Sequence, residues 1–121
     1  EYPILAIAAA YAKGETKLQG LSELRVKESD RLSFIAKGLT SAGVDVLETA
    51  DSLMIQGTGS VRGGANIETA LDHRIAMAFL VLGMAAEKPI KIDDGATINT
   101  SFPGFTSLMN GLGANIEVTT I

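Results

Sequence analysis

Leu39-Thr40-Ser41-Ala42-Gly43-Val44-Asp45-Val46 reads as the end of a helix, a glycine stop and the start of a strand. Met109-Asn110-Gly111-Leu112-Gly113-Ala114-Asn115-Ile116 repeats that pattern near the other end of the chain. Upstream of the first copy, Leu32, Ile35, Ala36 and Leu39 share one face of a helix predicted over 31–42, with Ser29 or Asp30 as its cap. Downstream, 44–49 alternates as a half-buried strand does, and 52–56 is its hairpin partner. Before all of these lies an Ala-rich, almost wholly apolar stretch, predicted as a buried helix over 4–13. Pro3 stands in its first turn, Gly14 is its expected stop, and a short strand follows at 16–21.

The second half runs in the same order. A glycine-rich loop or wide turn spans 58–65 and a strand 66–70; Asp72 caps an apolar helix over 73–86. A strand at 90–92, a helix over 104–112 introduced by Thr100-Ser101-Phe102-Pro103, and a strand at 114–119 complete the set. The expected architecture is therefore α+β: a single domain over 1–121, with an internal repeat of approximately 1–57 and 66–121. Its central helices are expected to be nearly fully buried, because one such unit alone covers its helices poorly and two can share a core.

Composition narrows the functions. The chain has 121 residues, 46% of them hydrophobic, enough for one ordinary core. A net charge of −4 argues against a general nucleic-acid or membrane-surface binder. With no cysteine and one histidine, thiol catalysis, disulfides and multi-histidine metal sites are excluded, and a reducing cytoplasm fits. The longest apolar run, 75–86, is too short to span a bilayer. The abrupt opening at Glu1-Tyr2-Pro3 reads as a cut end, so a fragment is expected.

Two charged clusters interrupt the apolar pattern. Arg25-Val26-Lys27-Glu28-Ser29-Asp30-Arg31 places five charges in seven residues just before a helix, and Asp72-His73-Arg74 opens another. A helix N-terminus attracts anions, so an arginine there is locally unfavourable unless an anion joins it. Arg31 and Arg74 are therefore candidate grips for phosphate or carboxylate, and Lys27 adds a point charge. Glu28 is a candidate proton carrier. The bland alternative is a solvated turn with local salt bridges at the first cluster and a simple cap at the second. Gly57-Thr58-Gly59-Ser60 and Gly63-Gly64 lack the Lys-Ser/Thr of a phosphate loop and read as a plain hairpin turn. Asp93-Asp94-Gly95 resembles a turn, with metal binding as an unsupported alternative.

Leu24-Arg25-Val26-Lys27-Glu28-Ser29-Asp30-Arg31-Leu32 resembles the signature of the 5-enolpyruvylshikimate-3-phosphate synthases. Glu1-Tyr2-Pro3-Ile4-Leu5-Ala6, Leu71-Asp72-His73-Arg74-Ile75-Ala76-Met77 and Thr100-Ser101-Phe102-Pro103 match in order, nearer to the bacterial subgroup with glyphosate-tolerant members than to the enteric or plant type. The resemblance implies an enolpyruvyl transferase-like fold: two lobes of βαβαββ-type units with buried Ala-rich helices covered by sheets, this chain being part of the C-terminal lobe. It implies transfer of the enolpyruvyl group of phosphoenolpyruvate to shikimate 3-phosphate, without metal or cofactor, by a cytoplasmic and monomeric enzyme of aromatic amino-acid biosynthesis. Lys27 would contact shikimate 3-phosphate; Arg31 and Arg74 would hold phosphoenolpyruvate. Glu28 would assist proton transfer and His73 would support it by a hydrogen bond.

The family's acid–base aspartate would immediately precede Glu1, and its lysine near the Thr-Phe-Pro turn is replaced around Thr100. The fragment is thus expected to be inactive without the missing N-terminal lobe. The alternatives are a lobe of the related UDP-N-acetylglucosamine enolpyruvyl transferase, which is not expected to carry the Lys27-to-Arg31 motif, and a non-catalytic repeat domain.

Overall fold

The computed structural model describes residues 2–26, 30–69, 72–93, 104–114 and 116. In chain order these form α1 (Tyr2–Tyr11), β1 (Lys13–Leu18), a 3-10 turn (Ser22–Val26), α2 (Arg31–Ser41), β2 (Asp45–Glu48) and β3 (Leu53–Thr58), followed by β4 (Asn66–Ile67), α3 (His73–Gly83), β5 (Lys91–Ile92) and α4 (Phe105–Gly111). Helices and sheets mix as the α+β expectation requires.

β3 is the centre of the first sheet because its pattern suits both neighbours. Leu53 and Ile55 turn inward and are fully buried, while Met54, Gln56 and Thr58 turn outward. β1 and β2 flank it, both antiparallel, with Thr16 opposite Ile55 on one side and Val46 opposite Ile55 on the other. The predicted 44–56 hairpin is therefore present. α1 lies on β3 and against α3, and α2 lies over β2. One core joins Ala6, Ile7, Ala10, Leu32, Ile35, Leu39, Leu53, Ile55, Phe79 and Leu82 across these layers.

Several boundaries differ from expectation, among them the end of β4, which stops at Ile67 rather than at 70. α1 ends at Tyr11, and Gly14 is not its stop but the second residue of β1, with φ +107. β1 begins three residues earlier than predicted because β3 runs on to Thr58 and offers Lys13 and Gly14 partners. α3 stops at Gly83 rather than at 86. The segment after β3 is not a hairpin turn: it leads out of the first sheet into β4, which pairs in parallel with β5 in a second sheet. Gly63 approaches the backbone of Lys88 there so closely that a Cβ would overlap its carbonyl.

The two quoted stretches end their helices alike. Gly43 adopts φ +94 and Gly113 φ +111. Val44 N donates to Leu39 O at 2.9 Å, and Ala114 N to Met109 O at 3.0 Å. Gly43 N donates to Thr40 O at 3.0 Å, and Gly113 N to Asn110 O at 3.1 Å. The left-handed glycine lets the chain double back and satisfy the last carbonyls. The strand expected at 114–119 and the cap expected from 100–103 fall mostly or wholly outside the described residues.

α1 departs from full burial. Ala6, Ile7, Ala9 and Ala10 are covered, whereas Ile4 and Leu5 are 44% and 48% exposed. A helix that is apolar all round needs two packing faces, and among the described residues β3, α2 and α3 supply one. At its end, the half-buried Tyr11 Oη donates to Leu82 O of α3 at 2.5 Å, and burial pushes the phenol above its ordinary value. Tyr11→Phe should cost about 1 kcal/mol in urea unfolding; an unchanged midpoint would show that this bond does not tie the two helix ends.

Candidate active site

The two charged clusters meet at the N-termini of α2 and α3. Asp30 caps α2 by accepting from Ser33 N at 3.1 Å, and Asp72 caps α3 by accepting from Arg74 N at 3.0 Å. Each cap satisfies a helix N–H that has no partner within the helix. Arg31, the first residue of α2, reaches across to Asp72. Its Nε donates to Oδ2 at 2.8 Å and its Nη2 to Oδ1 at 3.3 Å. The pair is buried, with side-chain exposures of 7% and 0%.

The anion that an arginine at a helix start needs is thus supplied, at least in part, by the cap of the neighbouring helix. Among the described residues, one carboxylate serves at least three donors, from two elements. This fixes the two helix starts against each other, because a buried charged hydrogen-bonded pair tolerates little displacement. The charge clusters converge through this pair, and Asp72 is more than a simple cap.

Asp72 is itself held from below. Its N–H donates to Thr69 O at 2.9 Å. Thr69, fully buried, donates its hydroxyl to Asp93 Oδ1 at 2.5 Å and its N–H to the same carboxylate at 3.2 Å. A polar chain therefore runs from the end of β5 through Thr69 and Asp72 to Arg31. Neither Thr69 nor Asp93 stood out in the sequence as part of a site; a lone threonine in a short strand carries no signal, and Asp93 looked like any turn aspartate.

Arg74 projects from the first turn of α3 and is exposed, while His73 beside it is half-buried. Lys27 and Glu28 lie outside the described residues. Among the described residues no cluster of three or more His, Cys, Asp or Glu could hold a metal, and no helix is long and apolar enough to cross a membrane. A cavity of about 370 Å³ lined by Leu80, Met84, Ile90 and Ile116 lies at the far end of α3, away from the charged helix starts.

Arg25 extends the charged cluster onto the first sheet. It donates from Nη1 to Asp30 at 2.9 Å and from Nη2 to Glu48 at 2.8 Å and Thr49 O at 2.7 Å, with Nε reaching Ala50 O at 2.8 Å. The hydrogen bond to Glu48, then that to Asp30, raises its pKa further. Here the bland reading of the first cluster, a turn with local salt bridges, is correct for Arg25 and Asp30.

Known proteins align with this arrangement. The sequence profile of the family EPSP synthase (3-phosphoshikimate 1-carboxyvinyltransferase) matches residues 1–109. A 3-phosphoshikimate 1-carboxyvinyltransferase of Cereibacter sphaeroides is 59% identical over 116 residues, 96% of this chain and 26% of that protein. One from Rhodospirillum rubrum is 59% identical over 119 residues, 98% of this chain and again 26% of its own length. A solved EPSP synthase of Acinetobacter baumannii superposes with a TM-score of 0.92 at 46% identity, covering 98% of this chain and 28% of that one. The chain thus spans about a quarter of the length of these relatives. With sequence and backbone agreeing over most of its residues, the chain belongs to the EPSP synthase family.

Proposed function

We propose that the chain is part of the C-terminal lobe of an enzyme that transfers the enolpyruvyl group of phosphoenolpyruvate to shikimate 3-phosphate, releasing phosphate. In this reading residues 1–57 and 66–121 are two repeat units, a division supported by the matching helix ends at Gly43 and Gly113. The segment alone is inactive, and the reaction is completed by an N-terminal lobe. The enzyme is cytoplasmic and monomeric and uses neither metal nor organic cofactor.

The observation that carries the proposal is the convergence of the α2 and α3 starts through Arg31 and Asp72. Two helix N-termini and two arginines then stand together, and phosphoenolpyruvate has two anionic groups, a phosphate and a carboxylate. Arg74, exposed, contacts the substrate directly. Arg31, oriented by Asp72, provides a fixed positive charge for the same anion. Lys27 contacts shikimate 3-phosphate and Glu28 moves the proton at the methylene carbon. His73, next to Arg74, supports the reacting group by a hydrogen bond. The electrostatic contribution is preorganised: the charges are placed before the substrate arrives.

In the full-length enzyme, phosphate should be released from phosphoenolpyruvate only when shikimate 3-phosphate is present. Arg74→Ala should raise the KM for phosphoenolpyruvate about 10- to 30-fold, or about 1.4–2 kcal/mol, as expected for an accessible charged contact. Absence of phosphate release from the folded enzyme would overturn the reaction. An unchanged KM and kcat in Arg74→Ala would remove that residue from the site.

A further inference from the structure

We infer that Arg25 is a positioning residue: it clamps the N-terminal cap of α2 to the β2–β3 turn and thereby sets where Arg31 stands. The inference rests on the proposed function for its catalytic consequence, though not for its structural one. Arg25 uses all three guanidinium nitrogens. Nη1 takes Asp30, the α2 cap, at 2.9 Å; Nη2 takes Glu48 and Thr49 O; Nε takes Ala50 O. Asp30 has its other oxygen on Ser33 N at 3.1 Å, so the same carboxylate joins the clamp to the first turn of α2.

The order of attachment is continuous. The β2–β3 turn holds Arg25, Arg25 holds Asp30, Asp30 holds the start of α2, and the first residue of α2 holds Asp72 at the start of α3. The ends of the clamp, 25 and 30, also bracket residues 27 and 28 in the sequence. Arg25 lies about a third exposed at its side chain and contributes nothing to the hydrophobic core. Its set of partners is more than an isolated surface ion pair has, because two of the four acceptors are fixed backbone carbonyls. A lysine could not replace it, since an ammonium lacks the planar fork that reaches acceptors on both sides.

The test uses the full-length enzyme with Arg25→Ala, Arg25→Lys and Glu48→Gln, read by amide exchange and by steady-state kinetics. Exchange of the Ser33 amide should speed up about tenfold in Arg25→Ala. The KM for phosphoenolpyruvate should rise by about the same factor, since small misplacement of a binding group is costly, and Arg25→Lys should not restore it. Glu48→Gln, which alters one arm, should give a smaller change in the same direction and serves if Arg25→Ala does not fold. Unchanged Ser33 exchange in both Arg25→Ala and Glu48→Gln would overturn the clamp. A lowered melting temperature with KM and kcat within about twofold of the parent would reduce Arg25 to a turn staple. If the unsubstituted enzyme transfers no enolpyruvyl group, the proposed function fails, while the Ser33 exchange still decides the clamp.

Discussion

Asp72→Ala should destabilise the full-length enzyme by about 3–5 kcal/mol, because it removes one partner of a buried ion pair and leaves the other. The Asp72 side chain is fully buried and that of Arg31 is 7% exposed, so water cannot replace the lost carboxylate without opening the structure. The α3 cap on Arg74 N goes with it, which by itself costs about 1 kcal/mol. The melting temperature should fall by about 3–5 °C in an enzyme roughly four times the length of this chain. Asp72→Asn keeps an oxygen for Arg74 N and should lose less. The double variant Arg31→Met/Asp72→Leu should be more stable than Asp72→Ala, since an apolar pair of similar volume removes the buried guanidinium together with its carboxylate. A loss below about 1 kcal/mol in Asp72→Ala, or a double variant no better than it, would mean that the pair does not hold the two helix starts.

That pair also marks where sequence reading stops. Asp30 and Asp72 were legible as caps because each precedes an apolar periodic run, and both cap as expected. The arginines were legible as cations out of place at helix starts. What no local pattern carries is that Arg31 and Asp72, 41 residues apart, bond to each other. The sequence points to an external anion, and the fold adds an internal one, Asp72, on the same guanidinium. Thr69 and Asp93 are invisible for the same reason: their pairing depends on β4 and β5 lying side by side.

The fold divides similarly. The hairpin of β2 and β3 follows from alternation, and the turns at Gly43 and Gly113 follow from glycine's access to positive φ. The 3-10 turn at Ser22–Val26 was missed because nothing in Ser-Glu-Leu-Arg-Val favours one; Leu24, buried, and the Arg25 clamp hold it from outside. Gly14 was misread because a glycine after an apolar run suits a helix stop, and only pairing with β3 reveals it as a strand residue.

The partner of Gly14 in that register, Gly57, should be among the least replaceable residues in the chain. Gly57→Ala should cost about 3 kcal/mol, the upper range for overpacking. A Cβ at Gly57 would overlap the carbonyl oxygen of Ala12 and crowd that of Ala9 at 2.5 Å. Both neighbours are backbone, so no rotamer change relieves the clash. The last turn of α1 would have to lift from β3, and Tyr11 would be drawn from Leu82 O. Gly38 differs in kind: its added Cβ would meet the ring of Phe79, a side chain that Phe79→Leu can shorten, so that second change should recover part of the loss. Gly111 meets nothing within 4 Å at the end of α4 and lacks a positive φ. Gly111→Ala should therefore leave stability unchanged or raise it by about 0.5 kcal/mol through the unfolded state. Urea midpoints of the three single variants decide the matter: Gly57→Ala as mild as Gly111→Ala would show that α1 does not rest on β3 at this glycine.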